Sequence, residues 1–443
     1  MSISNSLFSA ISGLSAFGET MSIIGNNISN INTIGFKSSR VVFEDALTQA
    51  VATAAGSSNV GRGVELSTIT TSFNQGSFEN TNETTDLAIG GKGFFVVKVA
   101  GSTSDVYYTR AGQFRFDKDA NLVNPHGLIV QGWQVQESVT GEISTVGAIV
   151  DINIQSDSSD PNPTANIYMA VNLDATAQSP TAGDFDLADK DNTSNYVTTI
   201  SAYDSLGTTH PVSIYFRKTA TAGLWQWFAV VDASNTASGS EEVQAAGTLT
   251  FNEGGVLLTQ TQATAGQTVG NYTIPTPAGF DFSGGATQNQ AITFGFGIGS
   301  SSVPKSTQYS SSSTTVFQTQ DGYGSGYLQN ISVDTDGVIS GHYSNGQILP
   351  LFKVALANFS NPWGLDNKGS NLFAESRESG QVVTGPPGSV GLGKISSNSL
   401  EQSNVDLGTE FVKMIITQRA FQANSRIITS TDELLVELIN MKR

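Results

Sequence analysis

The sequence predicts a multidomain α+β chain in which N- and C-terminal α-helices form a coiled-coil-like pair and two mainly antiparallel β domains are inserted between them. Three observations carry this expectation. Apolar side chains recur at helical spacing in residues 7–31 and again in 404–443. Most of what lies between reads as short apolar and aromatic runs separated by Gly, Asn and Asp. The length of 443 residues exceeds what one ordinary domain fills.

The N-terminal segment is LFSAISGLSAFGETMSIIGNNISNI. Leu7, Ala10, Leu14, Phe17, Met21, Ile24, Ile28 and Ile31 alternate at three and four, which is the spacing of a coiled-coil seam. Gly13, Gly18 and Gly25 each cost about 1 kcal/mol relative to alanine in a helix. A helix this weak is expected to order only when neighbours bury it. From Asn26 to Gly35, asparagines and a glycine suit a helix end and the turns after it. A second helix-like piece is expected over Val41 to Ala50, where Phe43 and Leu47, four apart, form an apolar pair.

Residues 63–150 change to strands and tight turns, as in GGKGFFVVKV, VYYTRAGQFRFDKDANL and LIVQGWQV. The pattern resumes near 318–365, so one discontinuous β domain is expected, interrupted by a second β domain at 151–317. Within that insertion VTTISAYDSLGTTHPVSIYFRKT and LWQWFAVVD read as antiparallel strands, with DSLG as a turn. Polar linkers at 156–165 and 299–315 are expected to act as hinges at its edges. Asp151, Asp157, Asp160, Asp174, Asp184, Asp186, Asp189 and Asp191 face only Lys190 there, a solvated acidic surface. Residues 31–62 and 366–403 read as extended connectors between the β domains and the terminal helical domain, 1–30 with 404–443.

In the last segment Leu407, Met414, Phe421, Ile428 and Leu435 recur every seven residues, and Ala420, Ile427, Leu434 and Met441 form a row beside them. Both rows are expected to make one broad apolar face. The opposite stripe, Arg419, Arg426, Glu433 and Asn440, is polar. Asp406, with Glu410 four residues on, marks the helix start. Periodicity alone leaves open whether the two terminal helices pair or pack separately on a core.

Composition narrows function. There are 38 acidic and 21 basic residues, a net charge of −17, and basic clusters are absent, which disfavours nucleic acid and anionic membranes as partners. With no cysteine there are no disulfides, thiolate metal sites or thiol nucleophiles. No run of eighteen apolar residues is present, so no membrane insertion is expected. The N-terminus lacks the basic region of a secretory signal peptide. Catalytic, metal and cofactor sites find no support. GGKGFF lacks the spacing and Ser/Thr of a P-loop. Asp117, Asp119 and Asn121 begin like a calcium loop but have Leu122 and Leu128 where Gly and Glu are needed, so a turn is expected, as at Asp334, Asp336 and Gly337. His126, His210 and His342 are scattered near turn signals. Trp225 and Trp227 alternate in a strand with a buried aromatic face rather than a sugar platform.

The segment NNISNINTIGFKSSR, with Asn26, Asn27, Asn30, Asn32, Gly35, Phe36 and Lys37, resembles the N-terminal signature of the bacterial flagellar axial proteins, the rod and hook subunits. The last forty residues, with Gln418, Arg419, Asn424 and Arg426, are similar to the C-terminal signature of that family. GKGFFVV, YTRAGQFRFD and LVNPHGLIVQGW resemble the first half of its β-rich domain; 160–300 is the loosest part of the match. The resemblance implies a non-enzymatic structural subunit that polymerises with itself into a tube. The 151–317 insertion points to the hook branch rather than the shorter distal rod protein. It further implies a curved, flexible tube acting as a universal joint from rod to filament and as an export channel. Arg419, Arg426, Glu433 and Asn440 are then channel-lining candidates, and the amides near Asn26 gain a second possible role in contacts between subunits. Implied partners are the distal rod protein, the hook cap, the hook–filament junction proteins and the flagellar export apparatus, for which Phe43 and Leu47 are signal candidates. The implied location is the hook, outside the cell, reached without a cleaved signal peptide. A secreted β-rich adhesin or carbohydrate-binding protein is the reading of a different class, and it leaves the paired terminal heptads unexplained.

Overall fold

The computed structural model describes residues 3–46, 49–53, 56–102, 104–137, 143–154, 158–181, 183–275, 279–298, 303–389 and 391–441. The described residues are mostly β, with long helices at Ile3–Ser29 and Leu407–Met441. The chain divides into two compact units. The first is Met1–Gln155, Asn330–His342 and Ile348–Arg443; the second is Ser156–Gln329 and Tyr343–Gln347.

In the first unit the N-terminal helix buries Ala10, Gly13, Ala16, Ile24 and Asn27. Leu7, Leu14, Phe17, Met21 and Ile28 are half-buried beside them. Three small residues at 10, 13 and 16 let another backbone come close. By length and composition the Asn5–Ser29 stretch is apolar enough to cross a membrane. Counting only uninterrupted apolar residues misses this, because its Ser, Gly and Thr break the run without adding charge.

The helix expected over Val41–Ala50 is instead a strand. Ser39–Asp45 pairs antiparallel with Val64–Thr71, and Gln49–Thr53 pairs with Gly56–Val60 farther along the same excursion. Val41, Val42 and Phe43 are stiff or aromatic side chains that favour a pleated ribbon once a partner strand is available. Phe43 packs edge-on against Phe17, ring centroids 5.9 Å apart. Leu47 lies outside the described residues.

The main sheet of this unit runs, in spatial order, Val338–Tyr343, Ile348–Val354, Ile129–Glu137, Phe94–Lys98, Val106–Thr109, Leu372–Ala374 and Asp366–Gly369. Phe94, Tyr108, Phe359 and Phe373 form its aromatic core, with Phe73 edge-on to Phe94 and Phe373. The arm at 366–403 does more than connect. Besides its three strands in the main sheet, where Val383–Gly385 pairs with Leu356–Asn358, Lys394–Ser397 pairs with Leu87–Gly90 and Ser399–Glu401 with Phe78–Asn80. An extended chain satisfies its backbone groups most readily on open strand edges.

In the second unit five antiparallel strands lie in sequence order: Tyr196–Tyr203, Thr209–Lys218, Leu224–Val231, Glu242–Phe251 and Leu257–Gln262. Trp225 and Trp227 are fully buried on one face with Phe216, Phe280, Phe282, Phe294 and Phe296. Phe228 points the other way and stacks on Phe185 at 4.4 Å, beside Tyr215 and Tyr272. Both faces are therefore covered, which is why LWQWFAVV is almost continuously apolar. The DSLG turn forms as expected, with Asp204 Oδ1 accepting from the Leu206 and Thr208 amides.

Two expected boundaries move. Asp151 belongs to the first unit, where Lys98 Nζ (2.8 Å) and Gln131 Nε2 (2.7 Å) bind its carboxylate. The described part of the 299–315 linker is knitted into the second unit, with Leu173 N donating to Thr307 O and Thr307 N to Val171 O. The chain leaves that unit after Gln329 instead. A polar, Ser-rich run signals exposure only when its backbone has no strand to join, and here the 166–172 strand is available.

Candidate functional site

The two ends of the chain meet through a ladder of polar contacts. Asn27, buried near the end of the N-terminal helix, donates from Nδ2 to Ser39 O (2.8 Å) and Glu410 Oε2 (3.2 Å). Its Oδ1 accepts from Ser39 N. Glu410 is buried in the first turn of the C-terminal helix and also binds Lys413 Nζ at 2.6 Å. Asp406 starts that helix by accepting from Thr409 N at 2.6 Å. Hydrogen bonds from Thr409 hold the Asp406 carboxyl below its ordinary range.

Gly35 has φ +69° and donates to Glu401 O at 2.7 Å. A side chain there would put its Cβ 2.6 Å from Ala111 N, so both conformation and space require glycine. Lys37 Nζ binds Glu401 Oε1 (2.6 Å) and Asn74 O (2.9 Å). Arg110 Nη1 binds Glu401 Oε2 (3.2 Å), and Gly76 N donates to Glu401 Oε1 (3.0 Å). Two buried cations thus share one fully buried carboxylate. Burial pulls both Lys37 and Arg110 below their ordinary pKa values, and the attraction of Glu401 only partly opposes it. Asn404 completes the ladder, accepting from Ser38 N and donating to Ser72 O.

The helices themselves are in contact. A Cβ on Gly13 would fall 2.5 Å from Asn424 Nδ2. Glu410, Thr417 and Thr431 are buried on the C-terminal helix, and Asn424 is half-buried. This inward row is polar at seven-residue spacing, and reasoning from apolar periodicity missed it. Thr417 and Thr431 satisfy their hydroxyls on carbonyls four residues back, so they are tolerated in an inward row.

Met414, Ile428 and Leu435 flank that row half-buried, while Leu407 and Phe421 are exposed. The single broad apolar face is therefore not what one subunit buries. Ile427, Leu434 and Met441 of the second row are exposed, with Ala420 half-buried. Phe8 and Ile11 on the N-terminal helix, and Phe411, Ile415 and Ile416 on the C-terminal one, are also exposed. Arg419, Arg426, Glu433 and Asn440 are all exposed, about half a helical turn from Thr417.

Of the signature residues, Asn27, Gly35, Lys37 and Asn424 are brought into the joint between the chain ends. Phe36 is half-buried and its carbonyl accepts from Asn404 N. Asn30 folds back on Asn26, and Asn26, Asn32 and Gln418 are exposed. Asp117 and Asp334 close turns by accepting from amides two and four residues on. His210 is buried in the second unit between Asp204 and Asn235, stacked on Phe282. Among the described residues no group of three or more His, Cys, Asp or Glu is placed to hold a metal.

Comparison with known proteins covers nearly the whole chain. Family models match in order: a flagella basal body rod protein model over residues 7–37, a flagellar hook protein FlgE/F/G D1 domain over 88–166, a flagellar basal body protein FlaE D2 domain over 172–323, and a flagellar basal body rod FlgEFG protein C-terminal model over 396–441. The flagellar hook protein FlgE of Borreliella burgdorferi is 37% identical, covering 99% of this chain and 99% of its own. That of Treponema pallidum is 36% identical over 99% of both chains, and that of Salmonella typhimurium 34% over 98% of this chain and 99% of its own.

Proposed function

The chain belongs to the flagellar hook protein family, and from that footing we propose how its ends build the hook. It is a structural subunit of the bacterial flagellar hook that polymerises with itself. The observation that carries the assembly reading is the pair of terminal helices, each with one face turned inward and another apolar face open to solvent. Large exposed apolar patches on a single subunit mark surfaces that neighbours cover. Phe8 and Ile11 on one helix, and Ile416, Ile427 and Leu434 on the other, are the residues proposed to be covered. In this reading the terminal helices pair as a coiled coil and form the inner wall of a tube, and the two inserted β domains of each subunit lie outside that wall. Arg419, Arg426, Glu433 and Asn440 line the channel, where a polar surface lets an unfolded export substrate slide past.

The tube serves as a universal joint, bending through exchange of weak polar contacts between the outer domains of neighbouring subunits while the closely packed inner helices hold. Its further partners are the distal rod protein, the hook cap, the junction proteins and the export apparatus. The subunit reaches the outside through that apparatus without a cleaved signal peptide. Phe43 is offered to the apparatus only in the unfolded chain, since its ring packs against Phe17 once folded.

Leu434→Asp and Ile416→Asp test the assembly reading, because each puts a charge on an open apolar face without touching the inward row. Purified variants are expected to stay monomeric in sedimentation, with unchanged circular dichroism, where the unaltered chain gives tubular polymers in electron microscopy. Polymers of normal yield from both variants would refute it.

A further inference from the structure

The first unit holds a cleft of about 510 Å³ whose charged lining is entirely cationic: Arg40, Lys92 and Arg110, with no carboxylate among the lining residues. Trp363 lies at its edge and is 67% exposed. Lys92 and Arg40 are exposed, and Arg40 Nε is held by Thr70 Oγ1 at 3.2 Å. Arg110 is only 3% exposed, and its Nε has no hydrogen-bond partner among the described residues.

Directly behind the cleft the charge count is unbalanced. Glu401 divides its two oxygens between Lys37, Arg110 and the Gly76 amide, leaving two buried cations to one buried anion. An uncompensated buried charge is costly, and it projects a field into the nearest opening. The burial that depresses Lys37 and Arg110 agrees with this incomplete compensation.

The chain as a whole carries −17, so stacked copies repel one another unless opposite charges meet where they touch. The second unit offers the complement. Asp184, Asp186, Asp189 and Asp191 are exposed with only Lys190 among them, and Lys190 is engaged by Glu241. Arg217 approaches Asp184 no closer than 3.8 Å.

We propose that the Arg40–Lys92–Arg110 cleft is an acceptor between subunits, into which the acidic 184–191 segment of a second copy of this chain docks beside Trp363. One aspartate supplies the missing counter-charge to Arg110, and the others face Lys92 and Arg40. This rests on the reading that copies assemble, and adds a specific polar contact outside the terminal helices.

The test has two arms. In the first, a peptide of residues 183–192 is titrated into the full-length monomer while tryptophan fluorescence is followed. A saturable shift is expected. It should be lost in Trp363→Phe and in the Arg40→Glu/Lys92→Glu double variant, and absent with the same peptide carrying Asn at its four aspartates. No shift, or an equal shift from sodium acetate at the same carboxylate concentration, would overturn the docking. In the second arm the double variant, whose two sites are on the surface, is assembled beside the unaltered chain. Its critical concentration is expected to rise about tenfold, the effect of losing about 1.4 kcal/mol. Mixing it with an Asp184→Lys/Asp186→Lys chain should restore assembly. An unchanged critical concentration would overturn the inference. If the unaltered chain itself formed no polymer, the assembly reading would fall while the peptide arm still decided the cleft.

Discussion

Replacing Glu401 by alanine removes the one carboxylate that two buried cations share. The loss comprises the 2.6 Å bond from Lys37, the 3.2 Å bond from Arg110 and the 3.0 Å bond from the Gly76 amide. Breaking a buried ion pair by deleting one partner costs about 3–5 kcal/mol, and an orphaned buried amide about 1 kcal/mol more. Lys37 recovers part of this by giving up its proton, since burial already depresses its pKa. A net cost of about 4 kcal/mol follows. Lys37→Met makes the contrast. It removes the surplus cation and leaves Arg110 and Glu401 as a one-to-one pair, so its cost is about 1 kcal/mol. The assay is hydrogen exchange, read by mass spectrometry on the full-length monomer, of the Leu87–Gly90 and Ser399–Glu401 strands. Glu401→Ala should speed exchange there about a thousandfold and Lys37→Met less than tenfold. The five-stranded sheet of the second unit should be unaffected by either. If Lys37→Met proves as costly as Glu401→Ala, the two-to-one charge count does not govern this joint.

Four further outcomes are expected. Gly35→Ala, which forces a positive φ on alanine and drives Cβ into the Ala111 backbone, should cost about 2–4 kcal/mol in chemical denaturation. Gly18→Ala meets no atom within 4 Å and should stabilise the N-terminal helix by up to about 1 kcal/mol. Asn27→Ala orphans both backbone groups of Ser39 and one oxygen of Glu410, so limited proteolysis of the monomer should cut the 30–38 segment sooner than in the unaltered chain. Asp204 sets the acid limit of the second unit. Burial pushes its carboxyl up, but bonds from His210, Thr208 N and Leu206 N outweigh this and hold it below 3.8. A depressed folded pKa contributes stability that is full above the ordinary carboxylate value and is lost as pH falls through the folded one. Asp204→Asn should therefore lower the urea midpoint of that unit at neutral pH and flatten its decline below about pH 4, followed by Trp225 and Trp227 fluorescence.

Much of the chain was legible without coordinates because its signals are local. Heptad spacing located both terminal helices, and Asp406 marked the start of the second. DSLG specified its turn through the side chain and flexibility of its own residues. The LWQWFAVV run announced a strand with one buried aromatic face, while the cover that Phe185 gives its other face through Phe228 came only with the fold. The signature segments at the two ends identified the family, since they are long and correctly placed. What the sequence could not determine depends on partners distant along the chain. Val41–Ala50 has apolar spacing compatible with a helix, and only the strand at Val64–Thr71 makes it a ribbon. Lys37 stands in the sequence only as a signature residue, and its burial depends on Glu401, 364 positions later, folding against it. Glu410, Thr417 and Thr431 lie outside both apolar rows, and they turn inward only because the N-terminal helix brings Gly13 and Asn27 against their row. Asp151 looked like part of an acidic surface until Lys98 and Gln131 claimed it for the first unit. Local propensity is worth a few tenths of a kcal/mol per residue, whereas deleting one partner of a buried ion pair such as Lys37–Glu401 costs about 3–5 kcal/mol, so there the distant partner decides.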